Sequence, residues 1–293
     1  MSAKVLVVGS INVDCTVQVA ELPLAGETIH GTEPLFLPGG KGGNQAVSAV
    51  NNGAEVVMIG AVGNDEHGVD ALKSLESSGV SSAGVEKKPG STGTAFIFVE
   101  AQGENLIVVT AGANSLVTPD EVDTKIRQYG GERPVVLCQL ELPLESVERA
   151  AEVAQQLDGR FILNLAPAAR ISNALLEKCD PIVLNETEAT LLAGEKVDTV
   201  DEALKVVQQI AKTARSAVIT LGELGAVYSD GQTSAHLPSE KVRVVDTTGA
   251  GDAFVGALAT AFSRDENLAE AVAKGLKAGA AAVQHFGAQP PKA

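Results

Sequence analysis

The chain has 293 residues and a formal net charge of −15. That balance sets its long-range field against nucleic acid and anionic membrane, so an anionic ligand must be held by local devices. Aliphatic and alanine residues dominate while aromatics make up 3 %, a composition suited to helices alternating with buried parallel strands rather than to an all-β sandwich.

In chain order, KVLVVG (4–9) is a short apolar run closed by glycine and reads as a buried strand. VDCTVQVA (13–20) and TIHGTEPLFL (28–37) follow, with the alternation of strands that have one solvated face. GGNQAVSAVNNG predicts a helix stopped by Asn-Asn-Gly, and EVVMIGAVG a second buried strand. TAFIFVEAQGENLIVV (94–109) reads as a hairpin turning at Gln102-Gly103-Glu104.

From PDEVDTKIRQY onward helices and apolar strands alternate. PVVLCQL, RFILNL, PIVLN and SAVITLG are strands; LESVERAAEVAQQL, ETEATLLAG and VDEALKVVQQIAKT are helices. Such interleaving implies a parallel sheet covered on both faces. The early half-solvated strands do not fit inside it and are assigned to a small separate sheet. VRVVDT (242–247) reads as a last strand, before a long helix opening at Asp252-Ala253-Phe254.

Cys15, Cys138 and Cys179 are isolated, with no CxxC pair, and read as buried thiols. The histidines, His30, His67, His236 and His285, lack ligand spacing for a metal. MSAKVLVVGS lacks the pattern of a secretory signal and no apolar run approaches the ~20 residues of a membrane span, which sets the expectation of a cytoplasmic protein. GGKGGNQA continues with glycine where a Walker A loop needs Ser or Thr, and GSINVD has too few glycines for a dinucleotide fingerprint.

DTTGAGD (246–252) offers another anion device. Gly249-Ala250-Gly251 can turn tightly at a helix entry, where unpaired N–H groups and the helix dipole suit phosphate oxygens. Asp252 beside that turn is badly placed to bind phosphate but well placed to take a proton from a hydroxyl attacking it; the plainer reading is a favourable first-turn acid. In NETE, Asn185 and Glu188 either cap a helix or order the water shell of a nucleotide-bound Mg²⁺. Asn12 and Asp14 follow the first strand, Gly39, Gly40, Lys41 and Asn44 surround the next helix start, and Glu141 follows another strand. These are donors and acceptors suited to a polyhydroxylated ligand at strand ends, or else turn caps and solvated charges.

GSINVD, GGKGGNQA, CQLE, NLAPAAR, NETEAT, ITLGELG, DTTGAGDAFVGAL and the terminal FGAQP resemble, in order and over almost the entire chain, the ribokinase-like family of carbohydrate kinases. GGKG and GAGD are specific when found together. The resemblance implies a single domain over 1–293, a three-layer α/β/α sandwich with a mostly parallel central sheet, and a small β-sheet lid contributed by about 12–38 and 92–110. It implies Asp252 as the base acting on the sugar's terminal hydroxymethyl, with Gly249, Ala250 and Gly251 as the anion hole. Sugar contacts fall on Asn12, Asp14, Gly40, Lys41, Gly42, Gly43, Asn44 and Glu141. ATP contacts fall on Asn185, Gly251 and the loop Thr220, Leu221, Gly222, Glu223, Leu224 and Gly225, with Glu188 tied to Mg²⁺. Asp246, Thr248, Ala282, His285 and Gly287 match a monovalent cation site, usually K⁺, beside the anion hole. Pro291 stands where a serine commonly completes that site, and Leu276 replaces a polar residue that often lies near adenine.

The expected activity is ATP-dependent phosphorylation of a sugar, D-ribose to D-ribose 5-phosphate, by a chain that in several relatives dimerises through its lid. Another pentose, a deoxysugar, a ketohexose or a nucleoside are the alternatives within the class, the scarcity of aromatics arguing against a nucleobase. A sugar- or nucleotide-sensing protein on the same fold is the alternative outside it.

Overall fold

The computed structural model describes residues 4–100 and 104–289. Its first half runs β1 (Lys4–Val8), β2 (Asn12–Val19), β3 (Leu35–Gly39), α1 (Lys41–Asn51), β4 (Glu55–Gly63), α2 (Glu66–Ser77), β5 (Ser81–Lys88), β6 (Gly93–Glu100) and β7 (Asn105–Thr110). There follow α3 (Pro119–Gly130), β8 (Val135–Cys138), α4 (Leu144–Gln156), β9 (Arg160–Asn164), α5 (Asn173–Leu176), β10 (Ile182–Leu184), α6 (Glu186–Ala193), α7 (Val200–Ile210) and β11 (Ala217–Thr220). The chain closes with β12 (Ala226–Ser229), β13 (Ser234–Leu237), α8 (Ala250–Phe262) and α9 (Leu268–Ala282).

Why KVLVV becomes a central strand is visible in the two cores. Val5 and Val7 enter one apolar cluster, Leu6 and Val8 the other, because successive strand residues point to opposite faces and both faces here are covered. The nine-stranded sheet has the order β13-β12-β11-β10-β9-β8-β1-β4-β5. It is parallel except where β12 pairs antiparallel with β11 and β13. Ile126, Val147 and Val207, from α3, α4 and α7, fill one side; Val47, Leu75, Phe254 and Val272, from α1, α2, α8 and α9, fill the other.

The early strands form a second sheet, β3-β2-β6-β7. Its root is tied to the strand-end region of the large sheet, for Asn12 at the start of β2 lies between Gly39 of β3 and Gly93 of β6. Its far strand is solvated, with Ile107, Val108 and Val109 each about half exposed.

Three expectations need correction. VRVVDT is not a strand: Val244 and Val245 are exposed, and the Val245 and Asp246 amides both donate to the Val283 carbonyl just beyond α9, at 2.7 and 3.2 Å. Of TIHGTEPLFL only Leu35 onward joins the sheet; Gly31 makes a single bridge to Val19, and Pro34 cannot donate to a ladder. No element was expected over α2, β5, β12, β13 or α9. The hairpin of β6 and β7 is present, pairing Val99 with Asn105, but Gln102 and Gly103 of its expected turn, like Pro291, lie outside the described residues. Among those described, no helix is long and apolar enough to cross a membrane.

Close approach of α1 to the end of β1 requires glycine. A Cβ on Gly42 would sit 2.6 Å from the Gly9 carbonyl carbon and from Ser10 N and O, backbone atoms that cannot turn aside. Gly42→Ala should therefore lower the urea midpoint, by roughly 1–3 kcal/mol of overpacking set against the ~1 kcal/mol that alanine gains over glycine inside a helix.

Candidate active site

The carboxyl ends of β1, β8, β9 and β10 open beside the N-termini of α1, α6 and α8, the place where open α/β sheets collect ligands. Gly40 precedes α1 at φ 86°, and the Glu141 carboxylate, just after β8, accepts the first helical N–H, from Lys41, at 3.1 Å. The same oxygen accepts Ser10 Oγ at 2.5 Å, while Ser10 Oγ in turn accepts the Gly42 amide at 3.2 Å. The Gly43 amide donates to the Ser10 carbonyl at 2.9 Å. Gly42 and Gly43, both expected at the sugar, thus have their amides engaged within the protein.

Asn12 is buried, its Oδ1 accepting Asn114 Nδ2 at 2.7 Å; Asn114 is fixed by the Ile11 backbone at 3.0 and 3.2 Å. Asp14, two residues on, is pushed up to about 6 by burial and by the charges of Glu141 and Asp252. Three acidic residues therefore share one neighbourhood, and at Asp14 repulsion by the other two adds to the larger effect of burial.

Gly249 adopts the left-handed conformation, φ 76°, and α8 begins at Ala250, placing Asp252 in its first turn. A Cβ on Gly249 would also lie 2.6 Å from the Ala288 backbone, so glycine is required here for both conformation and space. Ala250 N donates to the Thr247 carbonyl at 3.2 Å, while the Gly251 and Asp252 amides have no protein acceptor among the described residues. Asp252 is 8 % exposed; its Oδ2 accepts Asn44 Nδ2 at 3.0 Å and its Oδ1 accepts Gln45 Nε2 at 2.9 Å. Burial pushes its carboxyl up; the charge of Lys41 and the two side-chain donors oppose that rise, and Glu141 adds to it.

A cavity of about 140 Å³ lies against these groups, bounded by Lys41, Asn164, Asn185, Glu188, Thr220, Gly249, Gly251 and Asp252 among others. Asn185 and Glu188 form a reciprocal capping box at the start of α6: the Glu188 carboxylate accepts Asn185 N and Nδ2 at 2.8 and 3.1 Å, and Asn185 Oδ1 accepts Glu188 N at 2.8 Å. Glu188 nevertheless faces the cavity, buried, its carboxyl raised by burial against the Asn185 backbone donor and the Lys41 charge. Capping and a place in the site are therefore compatible.

Thr220 ends β11 at the cavity, and Leu221 continues into the short 3-10 turn Gly222–Leu224. Glu223 and Leu224 are exposed, and at Gly225, with φ 97°, an added Cβ would lie 2.0 Å from the Leu237 carbonyl oxygen. In the loop leading into α8, both Asp246 oxygens accept backbone amides, Oδ1 from Thr248 and Oδ2 from Gly287, each at 2.9 Å. Burial opposes ionisation there, but the amides of Gly287 and Thr248 win and hold the carboxyl below its usual range. The Ala282 carbonyl accepts the His285 amide at 3.0 Å. Among the described residues no group of three or more His, Cys, Asp or Glu could hold a metal. Leu276 packs half-buried against the core beneath α8.

The sequence reading gave no role to Ser10, Gln45, Asn114, Gln139 or Asn164. Gln45 and Asn164 lie inside the quoted motifs GGKGGNQA and NLAPAAR, but only the fold brings them to Asp252.

Residues 2–293 match the model of the pfkB family carbohydrate kinases; the chain belongs to that family and is a sugar-phosphorylating kinase. It is 37 % identical to ribokinase of Bacillus subtilis over 287 residues, 98 % of this chain and 94 % of that protein. To deoxyribokinase of Salmonella typhi it is 35 % identical over 288 residues, 97 % and 94 % of the two. The solved structure of Arabidopsis thaliana ribokinase complexed with ribose and ATP superposes with a TM-score of 0.89 at 29 % identity, covering 99 % of this chain and 95 % of that one.

Asp14 carries a stability signature. Its folded pKa of about 6 lies above the ordinary 3.8, so the native state prefers the proton, and stability present at pH below about 3.8 is lost as pH rises through 6. Asp14→Asn should unfold at higher urea than the parent at pH 8, by up to about 3 kcal/mol, with the difference vanishing near pH 3.5; equal gains at both pH values would contradict it.

Proposed function

We propose that this protein transfers the γ-phosphoryl group of ATP to the terminal hydroxymethyl oxygen of D-ribose, giving D-ribose 5-phosphate. The observation that carries the reading is the buried Asp252 carboxylate in the first turn of α8, beside helix-entry amides with no protein acceptor and at the wall of a cavity. In this reading the sugar lies toward β2 and α1. Asn12, Asp14, Gly40, Lys41, Asn44 and Glu141 surround it, their paired donors and acceptors matching hydroxyls that do both. Asp252 accepts the proton of the attacking hydroxyl as the oxygen closes on phosphorus. The Gly251 and Asp252 amides and the positive end of α8 receive the charge of the phosphoryl oxygens, and Lys41 adds the full positive charge that an acidic chain otherwise lacks there.

ATP would extend from that point past Thr220 toward the loop Leu221 to Gly225. Mg²⁺ entering with the nucleotide would neutralise phosphate charge. The buried, cavity-facing Glu188 and its partner Asn185 fit a role in ordering its water shell, since their mutual bonds leave outer lone pairs rather than a full ligand set. For K⁺, the ionised Asp246 carboxylate and the carbonyls near Ala282, His285 and Gly287 supply the oxygen donors a hard monovalent ion takes; that site would stiffen the α8 entry without touching substrate. The small sheet would act as a lid that excludes water from the phosphoryl group, and its exposed apolar strand would pair with a second copy of the chain.

A second reading, 2-deoxy-D-ribose as the sugar, is favoured by the comparable identity to a deoxyribokinase. Both are decided by a coupled ADP-release assay over ribose, 2-deoxyribose, other pentoses, ketohexoses and nucleosides: the highest kcat/KM is expected for ribose, and turnover of none of them would exclude the kinase reading. Asp252→Asn should lower kcat by roughly 10²- to 10⁴-fold, the range of a lost general base, while ribose binding measured by calorimetry stays near the parent value. Parallel loss of binding and turnover would assign Asp252 a structural role.

A further inference from the structure

Behind Asp252 runs a line of buried amides from α1, β9 and the end of β8. Gln139, the residue after β8, donates from Nε2 to Gln45 Oε1 at 2.6 Å. Gln45 donates from its own Nε2 to Asp252 Oδ1 at 2.9 Å and to Asn164 Oδ1 at 3.0 Å. Asn164, the last residue of β9, donates to the Val183 carbonyl at 3.3 Å. Gln45 and Gln139 are both 0 % exposed. At the end of the line stands an exception: Gln139 Oε1 is the one buried side-chain polar atom among the described residues without a hydrogen-bond partner. It abuts Gly9, where an added Cβ would lie 2.1 Å away.

A carboxylate can only accept, so the Gln45 NH₂ group must face Asp252. Its single oxygen then faces Gln139, which must present its own NH₂ group, and the Gln139 oxygen is left over. Turning Gln139 alone would set two carbonyls against each other; turning Gln45 would set a carbonyl against the carboxylate. The polarity of the line therefore follows from a carboxyl group at Asp252 that accepts at both oxygens, and the unpaired oxygen is its consequence. A buried polar group left unsatisfied is rare and calls for an explanation of this kind.

We propose that Gln45 and Gln139 are positioning residues for phosphoryl transfer: Gln45 aims the Asp252 carboxylate with a donated N–H, and Gln139 locks the Gln45 amide in the one orientation that does so. Asn44, bonded to the other carboxylate oxygen and itself held by Gln289 Nε2 at 2.9 Å, fixes the second point, so that two donors on adjacent residues of α1 set the carboxylate plane. The charged and titratable groups acting on Asp252 are Lys41 of α1, Glu141 after β8, Asp14 of β2 and Glu188 of α6; the amides are the neutral element that counters its burial. The inference rests on the kinase reading above.

The test is the double variant Gln45→Leu/Gln139→Leu with Gln139→Leu alone, assayed with ATP, Mg²⁺ and D-ribose across pH, beside thermal unfolding. Replacing both partners of a buried bond by apolar groups is close to neutral for stability, and the double change also removes the unpaired oxygen. Gln45→Leu also takes a donor from the buried Asp252 and Asn164 oxygens, so the double variant should fold but melt below the parent temperature. Its kcat should fall roughly 10- to 100-fold, the size of effect seen when the partners that orient a functional group are removed, with KM for ribose little changed. Loss of a donor to the carboxylate should also move the acid limb of the kcat/KM profile to higher pH. Gln139→Leu, which touches neither Asp252 nor the cavity, should move kcat and the acid limb in the same directions by less. Parent values of kcat and acid limb in either folded variant would overturn the proposal. So would variants that fail to fold, or a fall in turnover with the acid limb unmoved, because the pair would then be a core strut. Parent protein that turns over no sugar in the panel marks failure of the kinase reading instead, whatever the variants do.

Discussion

An ionised carboxylate held inside a protein needs donors enough to replace the water it has lost, and the site around Asp252 is organised by that requirement. Asn44 and Gln45 give it one hydrogen bond per oxygen. Lys41 and the first turn of α8 give it favourable field. Three of these come from one helix, α1, so the pose of α1 against the large sheet sets the geometry of that carboxyl group. That pose depends in turn on glycine: Gly42 against Gly9 and Ser10, and Gly40 at positive φ where the chain leaves β3.

The same region gathers acidic groups, Asp14, Glu141, Glu188 and Asp252, in a chain whose overall charge is already strongly negative. Glu141 is held in place by hydrogen bonds from Ser10 and the Lys41 amide, and Glu188 by its capping partner. Asp14 is not, and its raised pKa records the strain. Sites built for function commonly lower stability in this way.

The two sheets divide the work by their burial. The large one, covered on both faces, is a rigid platform whose strand ends fix Asn164, Glu141 and Asn185 in space. The small one grows from β1 by way of Asn12, which Asn114 clamps at the junction, and then leaves the core: beyond that root its strands are half exposed. A well-anchored base with a lightly buried far end is the construction expected of an element that moves over a ligand.

Much of this was legible in the sequence because the signals are local. Apolar runs such as KVLVV and RFILN mark strands covered on both sides, and alternation in NVDCTVQV marks a strand that is not. GAGD and NETE announce helix entries by their cap chemistry alone. Signals failed where a neighbour decides: VRVVDT has strand composition but no free ladder to join, and SSAGVEKK has little strand character yet pairs with β4 because that edge was open. The amphipathic stretches Glu66–Ser77 and Leu268–Ala282 form helices that complete one layer of the sandwich. What the chain determined by itself was thus the alternating strands and helices of its middle, the family and the residue types at the strand ends. Only the tertiary structure decided that Gln139, Gln45, Asn164 and Asp252, up to 207 positions apart in the chain, form one hydrogen-bonded line with one direction, because that direction follows from which atom faces which, and residue spacing carries no record of it.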